Sequence, residues 1–540
     1  MRTELHPEGK TIEAIVIDPS DVILPGDFSI LKPVPVISHY TLLNYLHVRT
    51  REEVIARELL LNIGDIYATD RIEESGRNLR GFFILSVARI VAVKGSAPDR
   101  VKILVVTKDQ WSLRLNTEFQ FDQARLDTLS MSIAENNLFG RNKTFAIDFA
   151  LDPGRYTVGA TYVDPRIWGS RHFGNVSTDF YLNRATGTYE GVNANLTVGR
   201  PLFSLRTKWA WQAQASYVKQ VVRYFEGPDL VALKYMNDRI PYIYDNQYGL
   251  GSLEGTRSWG LTNKVNLAIG VSEVSTKSSV PANFPTNISA AGRAAFAAIL
   301  PLSEDSFGPY IRFDAFQAKY ITLKNIQTFA LTEDYRIGPS VELYARYGLP
   351  GTGSHHLTLT GTASTTHYTR DNLFTATTSL TGRVEDGVPG APFVNEAVSG
   401  SVYNVSPKFG PFRFHAKGTF EFHNHDLQAT RLTLGSDNGL RGWAPREIQG
   451  NDFYLVNAEL RSEALNFWSV HIGLVAFYDG GDAPPDLRTF SWHQDAGAGL
   501  RILFPQFDRE VFRLDLAFPF EMAQGGGYSP RFSAQFGQAF

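Results

Sequence analysis

From about residue 126 to its end at Phe540, the chain alternates apolar and polar side chains with period two, broken at short intervals by Gly, Pro, Asn and Asp. In KTFAIDFALD, Phe145, Ile147, Phe149 and Leu151 share one face, opposite Thr144, Asp148 and Ala150. GVNANLTVG sets Val192, Ala194, Leu196 and Val198 against Asn193, Asn195 and Thr197. TKWAWQAQASY sets Trp209, Trp211, Ala213, Ala215 and Tyr217 against Gln212, Gln214 and Ser216. VFRLDLAF places Phe512, Leu514, Leu516 and Phe518 against Arg513 and Asp515. Side chains of a strand point alternately to opposite faces, so each segment reads as a strand with one greasy and one wet side. A soluble sandwich alternates too, with its apolar face inward. What favours a barrel is the run of such segments with no convincing helix among them. Roughly sixteen to eighteen fall between Leu126 and Phe540, ambiguously so over 256–403, and even strand numbers in this range suit transmembrane barrels. The fold class expected is mainly β: a transmembrane antiparallel barrel of about sixteen strands, preceded by a small α+β domain.

The last ten residues, RFSAQFGQAF, fit the same reading. Phe532, Ala534, Phe536 and Phe540 fall on one side, with Gln538 the polar exception, so a strand is expected to run to the end of the chain. A terminal strand closing on an aromatic suits the interfacial girdle of an outer-membrane barrel, and Phe532, Phe536 and Phe540 are its expected signal.

Composition permits this. No uninterrupted run of eighteen apolar residues exists, which argues against membrane helices, whereas a barrel strand needs only about 9–11 residues with every second one apolar. The absence of Cys excludes disulfides, thiolate metal sites and a cysteine nucleophile. A net charge of −3 gives no reason to expect nucleic acid. The start, MRTELHPEGKTIEAIV, lacks a basic stretch followed by an apolar core. A chain bound for the outer membrane needs such a leader, so a mature form or a replaced start is expected.

Residues 41–110 read differently. TLLNYLHV is a short apolar run. Thr50 offers an N-cap to REEVIARELLL, with Glu53 completing a capping box and Val54, Ile55, Leu59 and Leu60 forming an apolar stripe. A second helix starts at Thr69 or Asp70, turns Ile72 and Leu79 inward and stops at Gly81. Two strands follow, LSVARIVAV and RVKILVVT, about a Pro98–Asp99 turn. The domains expected are thus an unplaced extension at 1–40, a strand–helix–helix–strand–strand module at 41–110, and a barrel at 120–540. Polar stretches at 222–255, 275–292 and 386–394 read as extracellular loops.

A search for chemistry finds no GxSxG, HExxH, phosphate-loop or EF-hand pattern. The Gly-rich YGLPGTGSHH at 347–356 lacks the Lys of a phosphate loop and reads as a surface loop. His423 and His425 share a face beside Asp426, but no third ligand is identifiable, so no metal is expected. The constellation that stands out is Leu440, Arg441, Gly442 and Trp443 in a Gly/Asn/Asp-rich loop. The next strand, FYLVNAELR, turns Tyr454, Val456, Ala458 and Leu460 outward, leaving Asn457, Glu459 and Arg461 inside. After it VHIGLVAFYDGG turns Gly473, Val475, Phe477 and Asp479 inward. Two acids, Glu459 and Asp479, therefore enter the lumen from neighbouring strands. If the loop folds back inside, Arg441 can offer its fork of donors to both. Gly442 would then allow a tight turn and Trp443 would pack on the wall. A solvated Arg on an extracellular loop is the bland alternative.

Leu440, Arg441, Gly442 and Trp443 resemble the (V/I)RG(F/Y) loop motif of the BamA/TamA-type outer-membrane insertase family, also called the bacterial surface antigen family. The order matches as well: the motif, the strand with Glu459, the aromatic strand ending Phe477, Tyr478, Asp479 and Gly480, then AGAGLRILF, FRLDLAFPF and a terminal aromatic strand. NNLFGRN at 136–142 resembles the family's first barrel hairpin turn. The module resembles its polypeptide-transport-associated (POTRA) domain, present once here where the best-known insertase has several. Leu440 and Trp443 depart mildly from the usual Val and Phe/Tyr. The resemblance implies an outer-membrane protein with its N-terminal domain in the periplasm, which inserts or exports clients in extended form at a weak seam between the first and last barrel strands, expected at 127–135 and 531–540. It implies outer-membrane lipid around the barrel, a periplasmic partner at the module, a monomer, and no cofactor. The alternatives are a passive channel gated by the Arg441 loop, or an enzyme such as a lipase on a barrel scaffold, for which no residues speak.

Overall fold

The computed structural model describes residues 2–22, 47–122, 125–226, 229–329, 331–351, 355–385, 393–467, 470–521 and 530–540. Two bodies of structure follow one another along the chain.

The first is a three-stranded sheet with two helices. Strand β1 (Thr11–Ser20), helices α1 (Glu52–Ala56) and α2 (Thr69–Arg80), and strands β2 (Leu85–Lys94) and β3 (Arg100–Asp109) pack in the sheet order β1–β3–β2. Thr11–Ser20, unplaced by the sequence, pairs in parallel with β3. The apolar run at 41–46, expected to supply that strand, lies outside the described residues. Ile12, Ile55, Leu79, Ile84, Val101, Ile103 and Val105 form the core, because β3 alternates and the helices turn their apolar stripes onto it. Thr50 does not cap α1, whose N-cap is Arg51. Instead its N–H donates to Asp109 Oδ2 of β3 at 2.7 Å and its hydroxyl accepts from Asn137 Nδ2 of the second body at 3.0 Å, so distant contacts outcompete the local cap. The outer edge of β2 carries the chain's own start: Glu4 N donates to Ala92 O and Lys94 N to Arg2 O.

The second body is a closed antiparallel ring beginning at β4 (Leu113–Asp122) and β5 (Arg125–Glu135) and ending at Arg531–Phe536. Among the described residues the ring has twenty staves, against about sixteen expected. Three features account for the surplus. The stave Leu113–Asp122 lies ahead of Leu126, where the expected strands begin. Residues 222–223 and 243–255, inside the stretch 222–255 read as a loop, belong to the long staves Trp209–Arg223 and Ile243–Trp259, and 275–279 end the stave Asn263–Ser279, while the other described residues of both stretches lie outside the ring. The ambiguous region resolves into full staves such as His356–Thr369 and Asn372–Glu385. Helix α3 (Ala290–Ala297), which the alternation gave no reason to expect, lies between two of the staves, capped by Ser289 accepting from Gly292 N. Its Phe296 packs with Tyr242 and Phe284 in an apolar cluster over the ends of those staves.

The ring is apolar outside and polar within. Phe145, Ile147, Trp209, Leu253, Ile269, Leu343, Leu380 and Phe518 are exposed on the outer wall. Inside, Asn193 donates to Asp179, Asn266 to Asp314 and Arg312 to Glu254. Leaving each large apolar side chain in water forfeits about 1.5–3 kcal/mol, so an outer wall of this kind matches hydrocarbon rather than solvent.

The small sheet docks against one end of the ring. Glu58 meets Arg166 and Arg171 from one turn, Glu74 accepts from Leu205 N at another, and Arg80 forms a two-pronged pair with Asp334. Arg509 donates to the carbonyls of Arg80 and Phe82.

Candidate functional site

The strands Phe453–Ser462 and Val470–Asp482 pair so that Glu459 and Asp479 both turn inward. The loop before them, tied by a short strand pair between Leu432–Leu434 and Ile448–Gly450, folds back into the lumen and buries Leu440, Arg441, Gly442 and Trp443. Arg441 Nε and Nη2 donate to the two oxygens of Asp479 at 2.7 and 2.8 Å. Its Nη1 donates to Glu459 Oε1 at 2.6 Å and reaches Asp515 Oδ2 at 3.3 Å. The guanidinium carbon lies 3.5 Å from the centroid of the Phe477 ring, which contributes a cation–π contact in a desolvated setting. A planar fork with five donors is the side chain that can serve several carboxylates at once.

The neighbours of Arg441 each take a part. Leu440 packs with Leu434, Leu455 and Ala483. Gly442 N donates to Asp495 Oδ2 at 2.9 Å, and a Cβ there would stand 2.5 Å from Asp495 Cβ, so only glycine brings the loop this close to the wall. Trp443 meets the ring of His493 edge-on at 4.7 Å.

The site extends further than the loop and its two acids. Arg461 Nε donates to Glu459 Oε2 at 2.7 Å; Arg501 donates to Asp515 Oδ1 at 2.6 Å and to Glu459 Oε1 at 3.1 Å; Arg513 reaches Asp515 Oδ2 at 3.4 Å. Four arginines and four acids from five consecutive segments thus meet in one buried network. Alternation places Arg461, Arg513 and Asp515 inside, but nothing local in the sequence ties Arg501, Asp515 or Asp495 to a loop 53 to 74 residues away. Such a network holds a loop in place. It offers no nucleophile paired with a base.

The ring closes between Arg531–Phe536 and β4. Among the described residues that joint pairs at two positions, Ser533 with Gln120 and Ala534 with Phe119, while the joints on either side of it pair over six and ten. The first strand at the seam is therefore β4; residues 127–135 lie in β5, one stave further in.

No family model matches this chain, and no curated protein does. Solved structures give remote likenesses. CdiB from Escherichia coli aligns at 10% identity over 100% of this chain and 92% of that one, with a TM-score of 0.46. BamA from Haemophilus ducreyi lacking POTRA domains 1–3 aligns at 11% identity over 97% and 84%, with a TM-score of 0.35. The FrpB iron transporter from Neisseria meningitidis aligns at 9% identity over 84% and 87%, with a TM-score of 0.41. At this distance the chain's own residues, and not these likenesses, carry the reading that follows.

The C-terminal signal is only partly where the sequence put it. Phe532 is exposed on the outer wall, and Phe536 pairs opposite Phe512 with ring centroids 5.1 Å apart. The strand then stops. Gly537, at φ +92°, turns the last residues into the lumen, where the Phe540 ring lies 5.2 Å from the Arg461 guanidinium and edge-on to Tyr403. Phe540 is thus no girdle residue. The polar Gln538 that broke the alternation is the clue: inside, it accepts from Arg501 and donates to Gln327 O.

The histidines come together with acids and not with each other. His423 bonds Glu421 and His425 lies by Glu396, and among the described residues no cluster of three metal-ligating side chains occurs. Residues 352–354 of the Gly-rich loop lie outside the described residues.

Proposed function

We propose that the chain is an outer-membrane barrel that inserts or translocates other proteins at the seam between its first and last strands, with the small α+β domain, POTRA-like in order, on the periplasmic side. The observation that carries the reading is the sparse pairing between β4 and Arg531–Phe536. A joint that pairs over so few positions opens more readily than its neighbours, and an opened edge templates a further strand. An extended client would gain main-chain hydrogen bonds there and sort its alternating side chains between hydrocarbon and lumen. The apolar outer wall supports the membrane location. No cofactor enters, because burial of client strands in lipid supplies the driving force. The Arg441 network would keep the wall beside the seam rigid while the seam itself yields. The outer edge of β2, which takes the chain's own residues 2–4 as an added strand, suits capture of an extended client or periplasmic partner by the same pairing.

The test is to place the purified chain in liposomes and follow the folding of an unfolded barrel client. Faster folding than in empty liposomes is expected; an unchanged rate would count against insertion. A passive channel is the second reading, favoured by the hydroxyl-lined wall on which Thr360 meets Thr381, Thr362 meets Ser379 and Thr366 meets Thr375. It predicts steady conductance that rises when the Arg441 loop is trimmed, with no effect on clients.

A further inference from the structure

Between the staves Glu304–Gln317 and Thr332–Tyr347 the chain does not turn at the rim. Lys319–Lys324 pairs with the start of the second stave, from Thr332 to Ile337, and makes a hairpin that leaves the wall. Pairing of that stave with its other neighbour begins only at Gly338, whose φ of +100° provides the bend. The described residues of the tip cross the lumen. Ile326 packs on Leu373 and Val405, while Phe329 and Leu331 pack on Leu503 and Val511 of a different arc of the ring. The Phe329 ring reaches to 2.6 Å from where a Cβ on Gly473 would stand.

Three sets of contacts hold the hairpin. The Glu333 carboxylate accepts from the backbone of Ile326, Gln327 and Thr328 and from the Tyr335 hydroxyl, which gathers the tip. From the wall, Arg461 donates to Ile326 O at 3.3 Å, and Gln327 Nε2 donates to the Tyr403 hydroxyl at 3.0 Å. From below, α2 grips the base. Arg80 meets Asp334 with two bonds of 2.7 and 2.8 Å, and Arg77 lies 4.2 Å over the Tyr320 ring. The grip of α2 is polar and partly solvated, so it is the weakest of the three and the one a displaced domain would break first.

We propose that this hairpin is a plug across the domain-side mouth of the lumen and that α2 is its latch, so that moving the small domain frees the plug and opens a passage. The proposal goes beyond the insertion reading and needs only that the barrel sits in a membrane. A barrel of this many staves is wide enough to leave an aqueous channel unless something fills it.

The experiment is conductance of the full-length chain in planar bilayers, with heat-resistant gel migration checking that each variant folds. The absence of Cys gives a clean background. Phe329→Cys with Gly473→Cys, placed in an Asp334→Asn and Arg77→Ala background and joined by a short bis-methanethiosulfonate reagent, which forms a disulfide at each cysteine and releases methanesulfinate, should conduct little and open when the bridge is reduced. Asp334→Asn with Arg77→Ala should raise the open fraction over wild type without any bridge. Replacing residues 321–330 by a short Gly-rich turn should give steady open conductance. Conductance that is the same bridged and reduced, or unchanged by the latch variants, would overturn the plug. If the shortened chain fails to fold, the full-length cysteine pair decides. Failure of every form to enter a bilayer would overturn the membrane barrel and the plug with it.

Discussion

Removing Arg441 should destabilise the barrel by an amount that can be worked out partner by partner. In Arg441→Ala, Glu459 keeps Arg461 and Arg501, and Asp515 keeps Arg501 and Arg513. Asp479 keeps Asn457 Nδ2, at 2.7 Å, and the neighbouring carboxyl of Asp495, but no cation among the described residues. The deficit therefore falls on one fully buried carboxylate that loses two bonds to a charged donor, each contributing about 1.5–3 kcal/mol. A cost of about 3–5 kcal/mol follows, the range found when one partner of a buried ion pair is deleted. Arg441→Lys should recover no more than about half of it, because an ammonium cannot make both bonds to Asp479 in one plane. The sharper expectation concerns sign. Arg441→Ala combined with Asp479→Ala removes the stranded charge together with its partner, so the double variant should be more stable than Arg441→Ala alone. Urea unfolding in phospholipid vesicles, with gel migration after heating as a second readout, measures each form. Arg441→Ala within about 0.5 kcal/mol of wild type, the scatter of ordinary surface substitutions, would refute the reasoning. So would a double variant less stable than the single.

Further outcomes follow from named contacts. Gly442→Ala should push the loop off Asp495 at a cost of about 1–3 kcal/mol, seen as faster protease cleavage within 431–450. Glu58→Gln should loosen the small domain by about 1.5–3 kcal/mol, since Arg166 and Arg171 lose their charged partner; cleavage at 47–58 should quicken while the barrel's heat resistance is kept. Deleting residues 537–540 removes the Arg461, Arg501 and Gln327 contacts and the Gly537 N bond to Val511 O but none of the six residue pairs of the last strand with its preceding neighbour, so the barrel should still form, weakened by about 1–3 kcal/mol. A barrel that no longer forms would return Phe540 to the girdle role that its place at the chain end suggests.

The legibility of this chain follows the range of its interactions. Period two is a property of neighbouring residues, so the inward faces of FYLVNAELR and VHIGLVAFYDGG are legible in the order of residues alone, whereas the meeting of Arg441 with Glu459 and Asp479 depends also on the loop folding inward, which periodicity does not give. The same period does not say whether a strand lies in the wall or across the lumen. Lys319–Lys324 alternates like its neighbours, and only the bend at Gly338 and the contacts of Ile326 and Phe329 show that it leaves the ring. The strand Thr11–Ser20 is unreadable locally because its partner β3 lies some ninety residues on, with both helices between. Phe540 misleads because one glycine, Gly537, reverses the side on which everything after it falls. Thr50 misleads because a local cap competes with distant partners, Asp109 and Asn137, that sequence proximity cannot weigh.

Locking the seam tests the insertion reading most directly. Phe119 and Ala534 face each other across the joint between β4 and the last strand. A Phe119→Cys and Ala534→Cys pair, oxidised in liposomes, should abolish the acceleration of client folding, and reduction should restore it. Undiminished acceleration by the oxidised protein would contradict insertion at this seam.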